Sequence, residues 1–410
     1  MVERALADHP QMDAAKARLE IAKAHVRQAQ AAFWPSVVAA AEYDEKELPL
    51  SALGMGEALQ GPFAPSTIRS VIYREGIGIR MPIYRGGRDG QTLSVARLGK
   101  RESDFEFAAV REGLIANAIE AYVNHERTRE LLKSAEEHES AMNGQLQRVE
   151  RNIEAGMGVK FDRLQVEVRL ESAREAVLAG QNAVDSARTA LNLAMGESPS
   201  TPVSTLPVAS FPAITQELSE LQGEMIRKNP SLKQARKKVE ASRRTVSMEH
   251  GGNRPSATLS GSLSNFGKDL PAHERGWTVN GSVEWKLFDG GFVRAKVDEA
   301  RHHSALAQAS LDDLQQQLLA ALERSFLENR NALKRLEVSR KGLELAREQI
   351  RLSDVQRESG YITLIDLLDK QAELTRARVS LIGARYDTYL SALAILRLTG
   401  KLTPDFVAAL

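Results

Sequence analysis

The sequence contains no cysteine among its 410 residues. This absence excludes a disulfide, a thiolate metal site, a cysteine nucleophile and a lipidated N-terminal cysteine. A surplus of one charge is missing as well, because 55 Lys and Arg residues nearly balance 54 Asp and Glu residues. Without a basic surplus, the usual electrostatic argument for a nucleic-acid partner fails. We therefore expect no nucleic acid among the partners of this chain.

Long apolar runs are missing too. The longest obvious runs are short, such as "VVAAA" at 37–41, whereas a membrane helix needs about 18 or more apolar residues. The N-terminal "MVERALADHP" lacks an apolar segment, so we expect that any signal peptide has been removed or was never present. Alternating strands escape a hydropathy window, so a β-barrel that crosses a membrane stays possible.

Patterns of catalytic or metal-binding residues are equally scarce. His125, His138 and His273 each precede a glutamate but lack a second histidine at the spacing that zinc enzymes need. Paired carboxylates could serve acid–base chemistry, yet no nucleophile or metal site accompanies them. The sequence predicts a protein without enzymatic activity, cofactor or metal.

What the sequence does contain is a tandem repeat. Identical residues recur at an offset of 220 near the start of each half and at an offset of 204 further on. Pairs at the first offset are Pro10 and Pro230, Ala15 and Ala235, Glu20 and Glu240, and Ser36 and Ser256. Pairs at the second are Gly86 and Gly290, Gly87 and Gly291, Arg97 and Arg301, Gly156 and Gly360, and Asp162 and Asp366. Two constant registers indicate a duplication with one length change of 16 residues, located between Ser36 and Gly86.

Each half is predicted to contain the same series of elements. The first repeat, 1–196, has a short helix (about 11–33), a β-hairpin at 36–84, a long helix at 88–155 and a return helix at 159–196. The second repeat, 225–400, has a short helix (about 231–250), a β-hairpin at 256–288, a long helix at 292–358 and a return helix at 363–400. A Pro-rich connector occupies 197–224 and is predicted to be non-helical over 197–215, which contains Pro199, Pro202, Pro207 and Pro212, and a tail occupies 401–410.

The strands are predicted from alternation of apolar and polar residues. "SATLSGSLS" at 256–264 and "WTVNGSVEWKL" at 277–287 alternate with a period of two, and the first half does so best at Ile77, Ile79, Met81 and Ile83. This period predicts strands of roughly ten residues with one apolar and one polar face. The extra 16 residues belong to the loop of the first hairpin, at about 48–66. Glycine pairs then end the strands, at Gly86 and Gly87 and, after Asp289, at Gly290 and Gly291.

The helices by themselves favour a different class of protein. Long helices rich in Ala, Glu, Arg and Leu are most often coiled-coil scaffolds. Two hairpins in register with the helical repeat do not fit a scaffold. At 1.5 Å per residue, one long helix of about 100 Å nearly matches two short helices stacked end to end, which suggests a cylindrical wall. Four strands cannot close a barrel, since about eight is the usual minimum, so a barrel would be shared among subunits.

The segments "WKLFDGGFVRAKVDEA" and "GYITLIDLLDKQAELTRARVSLIGARYDTYLSALAILRLTG" resemble the TolC family of outer-membrane efflux and secretion channels. The resemblance covers essentially the whole chain. It implies a mainly α-helical protein with a membrane β-barrel: a homotrimer whose twelve strands form a barrel in outer-membrane lipid of a Gram-negative bacterium. Most of the mass would be a periplasmic helical barrel, with an equatorial belt formed by the connector and the tail. The partners implied are a periplasmic adaptor and an inner-membrane transporter, either ABC-type or proton-driven.

The resemblance also implies roles for two turns and one acidic pair. Asp366 and Asp369 match the family's acidic ring at the pore entrance, whereas the first-half equivalent keeps Asp162 but has Gln165 at the second position. For Asp162 alone we favour ordinary stabilisation of a helix start. The gate and adaptor-contacting tip would comprise Gly156, Gly158, Asp162, Arg163, Arg357, Gly360 and Ile362. Ile362 replaces a basic residue of the best-known member, so a gate salt bridge would be absent or rebuilt with Arg357 or Arg163.

The cargo is less defined by sequence. The C-terminal "ARYDTYLSALAILRLTGKLTPDF" looks more like channels of type I protein secretion than lipidated drug-efflux members, and the missing cysteine agrees. Secretion is therefore the first expectation, small-molecule efflux the alternative, and a soluble coiled-coil scaffold the alternative from another class.

Overall fold

The computed structural model describes residues 2–49, 67–205, 213–359 and 361–403. The chain forms two compact units. The first comprises Met1–Leu19, Glu102–Arg236 and Ser310–Leu410, and the second comprises Glu20–Arg101 and Lys237–Ala309.

The elements follow the predicted series. In the first half they are α1 (Val2–Asp8), α2 (Pro10–Ala31), β1 (Ser36–Pro49), β2 (Thr67–Arg85), α3 (Arg88–Glu154) and α4 (Lys160–Met195). In the second half they are α5 (Leu218–Lys228), α6 (Pro230–His250), β3 (Ser256–Gly267), β4 (Glu274–Glu284), α7 (Phe292–Glu358) and α8 (Leu364–Leu398). The two long helices, α3 and α7, have 67 residues each. Equal lengths in the two halves agree with a duplicated chain.

Helix α5 occupies the end of the segment predicted as connector. Its last residue, Lys228, lies 220 residues after Asp8, the last residue of α1. The short helix before each proline is therefore part of the repeat, which the proline-rich composition of 197–224 had hidden. Of the connector prolines, Pro207 and Pro212 lie outside the described residues, as do residues 404–410 of the tail.

The described part of the connector is fixed to the helices of the first unit by side chains. The Asn192 amide on α4 donates to the carbonyl oxygens of Pro199, at 3.1 Å, and Thr201, at 2.9 Å. Thr205 donates its hydroxyl to the buried Glu126 carboxylate on α3 and accepts at 2.9 Å from Arg129. These bonds hold an irregular segment without secondary structure of its own.

The second unit contains a four-stranded antiparallel sheet in the order β1-β2-β3-β4. Residues opposite each other form rows that share a face of the sheet. Two apolar rows are Val37, Ile79, Gly261 and Val279, and Ala39, Ile77, Leu263 and Trp277. A polar row on the other face is Ser36, Arg80, Ser260 and Asn280. The strands predicted from alternation are therefore confirmed, with one apolar and one polar face.

The bounds of the strands differ from the prediction in two places. β1 and β2 have 14 and 19 residues rather than about ten, because charged residues beyond the apolar rows also pair across the strands, as Glu42 does with Arg74 at 2.9 Å. Trp285 was predicted to continue β4 but lies beyond its end, where its indole N–H donates to the Asn253 carbonyl at 3.0 Å. The predicted long loop falls mostly on residues 50–66, outside the described residues.

Among the described residues, three apolar clusters contribute to the core of the first unit. One joins α1, α3 and α8, another joins α5, α7 and α8, and a third joins α3, α4 and the start of α8. The third contains Met142, Val149, Val166, Leu170, Ala173, Leu364 and Leu368. This cluster packs the start of α8 beside α3 and α4, and so positions the turns that precede α4 and α8.

None of the helices in the described ranges has both the length and the apolar content needed to cross a membrane. In the same ranges, no group of three or more His, Asp or Glu side chains is arranged to hold a metal ion.

Candidate functional site

The first predicted tip is the turn between α3 and α4. Gly156 has a φ of +74°, which favours glycine, and the next N–H, of Met157, donates to the Asn152 carbonyl at 2.8 Å. A Cβ on Gly158 would lie 2.9 Å from the Ile153 side chain, so this glycine allows the turn to fold against α3. Asp162 lies in the first turn of α4. Both glycines of this tip thus have a structural reason to be there.

The second predicted tip connects α7 and α8. Gly360 lies outside the described residues, but Tyr361 donates its N–H to the Gln356 carbonyl at 2.9 Å, which ends α7. The Tyr361 side chain is 83% exposed, and Ile362 is half-buried. Thr363 then caps the N-terminus of α8.

Asp366 forms a capping box with Thr363. The Asp366 N–H donates to the Thr363 hydroxyl oxygen at 3.2 Å, while the Asp366 carboxylate accepts from the Thr363 backbone N–H at 3.0 Å and also bonds its hydroxyl at 2.6 Å. The hydroxyl, the backbone N–H and the positive charge of Lys370 together lower the pKa of Asp366. The carboxylate is therefore ionised near neutral pH and held in one orientation. The Thr-x-x-Asp spacing is the sequence signal for this arrangement.

Asp369 forms an ion pair that the sequence reasoning missed. Its Oδ1 lies 2.8 Å from the Arg169 guanidinium, which joins α8 to α4. Both side chains are about half exposed, at 43% for Arg169 and 53% for Asp369, so such a pair contributes about 0–1 kcal/mol to stability. Arg169 lies one turn after Gln165, the repeat equivalent of Asp369. The second half thus supplies an acid, and the first half supplies its counter-charge.

Arg163 and Arg357 were suggested by sequence as partners in a rebuilt gate salt bridge. Among the described residues of one chain, neither is paired with Asp366 or Asp369. The Arg163 side chain is 2.9 Å from Glu167 and 3.5 Å from Glu150, so it joins α4 to α3. Arg357 lies in the last turn of α7. Within one chain, the salt bridge to the acidic pair comes from Arg169 instead, because buried Leu364 and Leu368 pack against Val166 and Leu170 and bring α8 beside α4.

An apolar groove lies beside this ion pair. It has a volume of about 340 Å³ and is lined by Phe161, Leu164, Gln165, Val168, Arg169, Ile365 and Leu368. Phe161 is 64% exposed, Leu164 56% and Val168 61%. Large apolar side chains exposed together commonly mark an interaction surface. The tip therefore combines fixed carboxylates with an apolar surface, an arrangement suited to attracting cations and binding a partner.

The strand-to-helix turns belong to the second unit. Gly86, Gly87, Gly290 and Gly291 all have positive φ, between +66° and +87°. Asp289 caps α7 by accepting from the N–H groups of Gly291, at 2.9 Å, and Val293, at 2.8 Å. These bonds lower its pKa, the one to Val293 most. The predicted turn residues thus connect the sheet to the helices.

Comparison with known proteins identifies the family. The model of the family described as "Outer membrane efflux protein" matches residues 1–197 and 221–401. Among curated relatives, the outer membrane efflux protein BepC of Brucella suis is 22% identical over 300 residues, which cover 72% of this chain and 64% of BepC. The chain thus spans slightly less than two thirds of BepC. The outer membrane protein TolC of Vibrio cholerae is 24% identical over 327 residues, 77% of this chain and 74% of that protein.

A solved structure agrees on the fold. The outer-membrane channel OprN matches with a TM-score of 0.84 at 23% identity, covering 98% of this chain and 89% of OprN. The family consists of outer-membrane channel proteins rather than enzymes, and the TolC resemblance of the sequence is confirmed. On the match of both repeats to the family model, the chain belongs to the outer membrane efflux protein family.

Proposed function

We propose that this chain is one subunit of a homotrimeric channel that carries cargo passively out of a Gram-negative cell. The observation that carries the proposal is the sheet. Its two faces differ in polarity, and in the described chain its edge strands, β1 and β4, pair on one side only. The unpaired N–H and C=O groups of an edge strand can form hydrogen bonds with a strand of another copy. Three copies would give twelve strands. A barrel of about eight strands has an interior that side chains fill, so twelve strands leave room for a channel.

The orientation of the sheet can be tested with spin labels. In the proposed barrel, Leu259, Leu263, Trp277, Val279 and Val283 face lipid, and Ser260 and Ser262 face the lumen. Oxygen dissolved in the bilayer should accelerate the relaxation of a label at 259, whereas a water-soluble nickel complex should accelerate that of a label at 260. The two positions are adjacent in one strand, so each serves as the control for the other. Equal access at both would exclude the barrel.

The tips would be the periplasmic gate and the docking point of a periplasmic adaptor, which links the channel to an inner-membrane transporter. The apolar groove between α4 and α8 supports a protein partner here, and Asp366 with Asp369 supports a cation-attracting entrance. In this proposal the two aspartates of three subunits meet at the pore axis. Residues Gly156 and Gly158 would allow the first tip to turn.

For the cargo, we propose protein secretion of type I, with small-molecule efflux as the second candidate. The C-terminal segment supports secretion, and a relative from Pseudomonas aeruginosa named alkaline protease secretion protein AprF is 22% identical over 339 residues. The efflux name of BepC supports the alternative. A host strain lacking this chain should retain a secreted protein inside the cell. Normal secretion combined with new sensitivity to small toxic compounds would favour efflux instead.

The ion pair at the tip leads to a specific prediction. Arg169 neutralises Asp369 at 2.8 Å, so Arg169→Ala should leave an unpaired carboxylate at the proposed entrance. Channels of this variant in planar bilayers should be more cation-selective and several-fold more sensitive to a trivalent cation. Arg163→Ala is the matched control, because Arg163 is similarly exposed but pairs with Glu150 and Glu167. Identical behaviour of the two variants would show that Asp369 does not face the ion path.

A further inference from the structure

The first unit contains a cavity that shares no lining residue with the groove at the tip. Its volume is about 420 Å³, within the common range of roughly 300–1,000 Å³ for small-molecule sites. Its wall is formed by α3, the start of α6, α7 and the last turns of α8.

The cavity exists because α3 presents small side chains on one face. Ala109, Gly113 and Ala116 follow at helical spacing and line it, opposite Leu318 and Leu393. A Cβ added to Gly113 would meet no atom within 4 Å. Leucines on the opposite side cannot fill the space that three small residues leave.

One acidic side chain in this wall, that of Glu112, is buried. Glu112 is only 9% exposed, and among the described residues its carboxylate has no hydrogen bond or ion pair, although the charges of Arg111 and Lys233 act on it. A carboxyl group in such a place carries a desolvation cost that a donor would remove. Burial raises its pKa to about 7, although Arg111 and Lys233 oppose the shift. Glu120 and Arg397 also line the cavity, so the charged groups of the wall sum to one negative charge when Glu112 is ionised.

We propose that this cavity binds a compact amphipathic amine, whose ammonium group donates to the Glu112 carboxylate while its apolar body fills the space beside Gly113. Apolar walls with a single buried acid select a singly charged organic cation over a metal ion, which needs several oxygen ligands. The site is separate from the proposed gate and does not depend on channel activity.

Binding of 6-phenylhexylamine tests the site, with 6-phenylhexanol as the neutral counterpart. Equilibrium dialysis should use the full chain in a non-ionic amphipol, so that binding is read without transport. The amine should bind at least tenfold more tightly than the alcohol, and Glu112→Gln should remove that difference. Equal binding of both compounds to the wild type would overturn the proposal.

The pH profile gives a second readout. A phenylalkylamine stays protonated between pH 6 and 8, like a lysine side chain. Glu112, with a pKa of about 7, goes from mostly protonated to mostly ionised over the same interval. Affinity for the amine should therefore rise by about tenfold from pH 6 to pH 8 in the wild type and stay constant in Glu112→Gln. A profile that is the same in both proteins would contradict a role for this carboxyl.

Filling the cavity should abolish binding without unfolding the protein. Gly113→Leu places a side chain in open space and replaces a helix-destabilising residue, so α3 should remain intact. Gly144→Leu is the matched control, because Gly144 lies on α3 with equally open space but does not line the cavity. Amine binding should be lost in the first variant and kept in the second. Retained binding in Gly113→Leu would place the amine elsewhere.

Discussion

Channels of the Asp366→Asn, Asp369→Asn double variant should lose cation selectivity and lose block by a trivalent cation added on the periplasmic side. In the proposed trimer, three copies of each aspartate converge at the entrance. Two unit charges about 6 Å apart repel by roughly 3 kcal/mol at an effective dielectric constant near 20. Arg169 offsets Asp369 within each chain, so the charge left over is that of the three Asp366 carboxylates, which a trivalent cation would balance. Planar-bilayer recordings measure both properties directly.

The state of Asp366 in one chain strengthens this expectation. Hydrogen bonds from Thr363 lower its pKa, which opposes the proton uptake that crowding with like charges would favour. The charge of Asp366 is therefore retained at neutral pH. Asn keeps a side-chain oxygen that can accept from the Thr363 N–H, so the double variant should fold.

Asp162→Asn is the matched control for the double variant. Asp162 is the repeat equivalent of Asp366, but Gln165 follows where Asp369 would be. We expect this variant to be blocked like the wild type, since Asp162 then serves only the start of α4. If the double variant is also blocked like the wild type, the acidic pair is no more than a solvated helix start.

Gly86→Ala should be among the most destabilising single substitutions in the protein. Gly86 has a φ of +66°, and a Cβ there would lie 2.1 Å from the Gly251 carbonyl oxygen. The left-handed conformation costs a residue with a side chain about 1–2 kcal/mol, and a clash with backbone adds about 1–3 kcal/mol or more because neither segment can yield locally. We expect a loss of about 2–5 kcal/mol in all, seen as a lower unfolding temperature by circular dichroism in detergent.

The Gly290→Ala variant separates the two causes of destabilisation, which are the left-handed backbone conformation and the clash with the Gly251 carbonyl. Gly290 is the repeat equivalent of Gly86 and has the same φ of +66°, but a Cβ there meets nothing within 4 Å. This variant should therefore lose only the conformational part, about 1–2 kcal/mol. If both variants unfold at the same temperature, the approach of Gly251 has no energetic consequence.

The sequence determined most of the local structure. The duplicated register located the elements, and the alternation at 256–264 gave the sheet faces, because side-chain periodicity follows directly from backbone geometry. The ends of α3 and α4 were predicted within a few residues, since Gly156 and Gly196 terminate them locally. Helix α5 was not predicted, because the residues before it are rich in proline and its own apolar pattern is short.

Contacts between distant residues were decided by the tertiary structure. Arg169 and Asp369 are 200 positions apart, and only the packing of Leu368 against Val166 and Leu170 brings them together. The buried Glu112 looks like any surface acid in the sequence, since its burial depends on α6, α7 and α8. Gly86 and Gly290 look alike within the repeat, yet only one approaches another backbone segment. Local patterns specify which face of an element is apolar, whereas the side chains that meet across elements depend on how those faces pack.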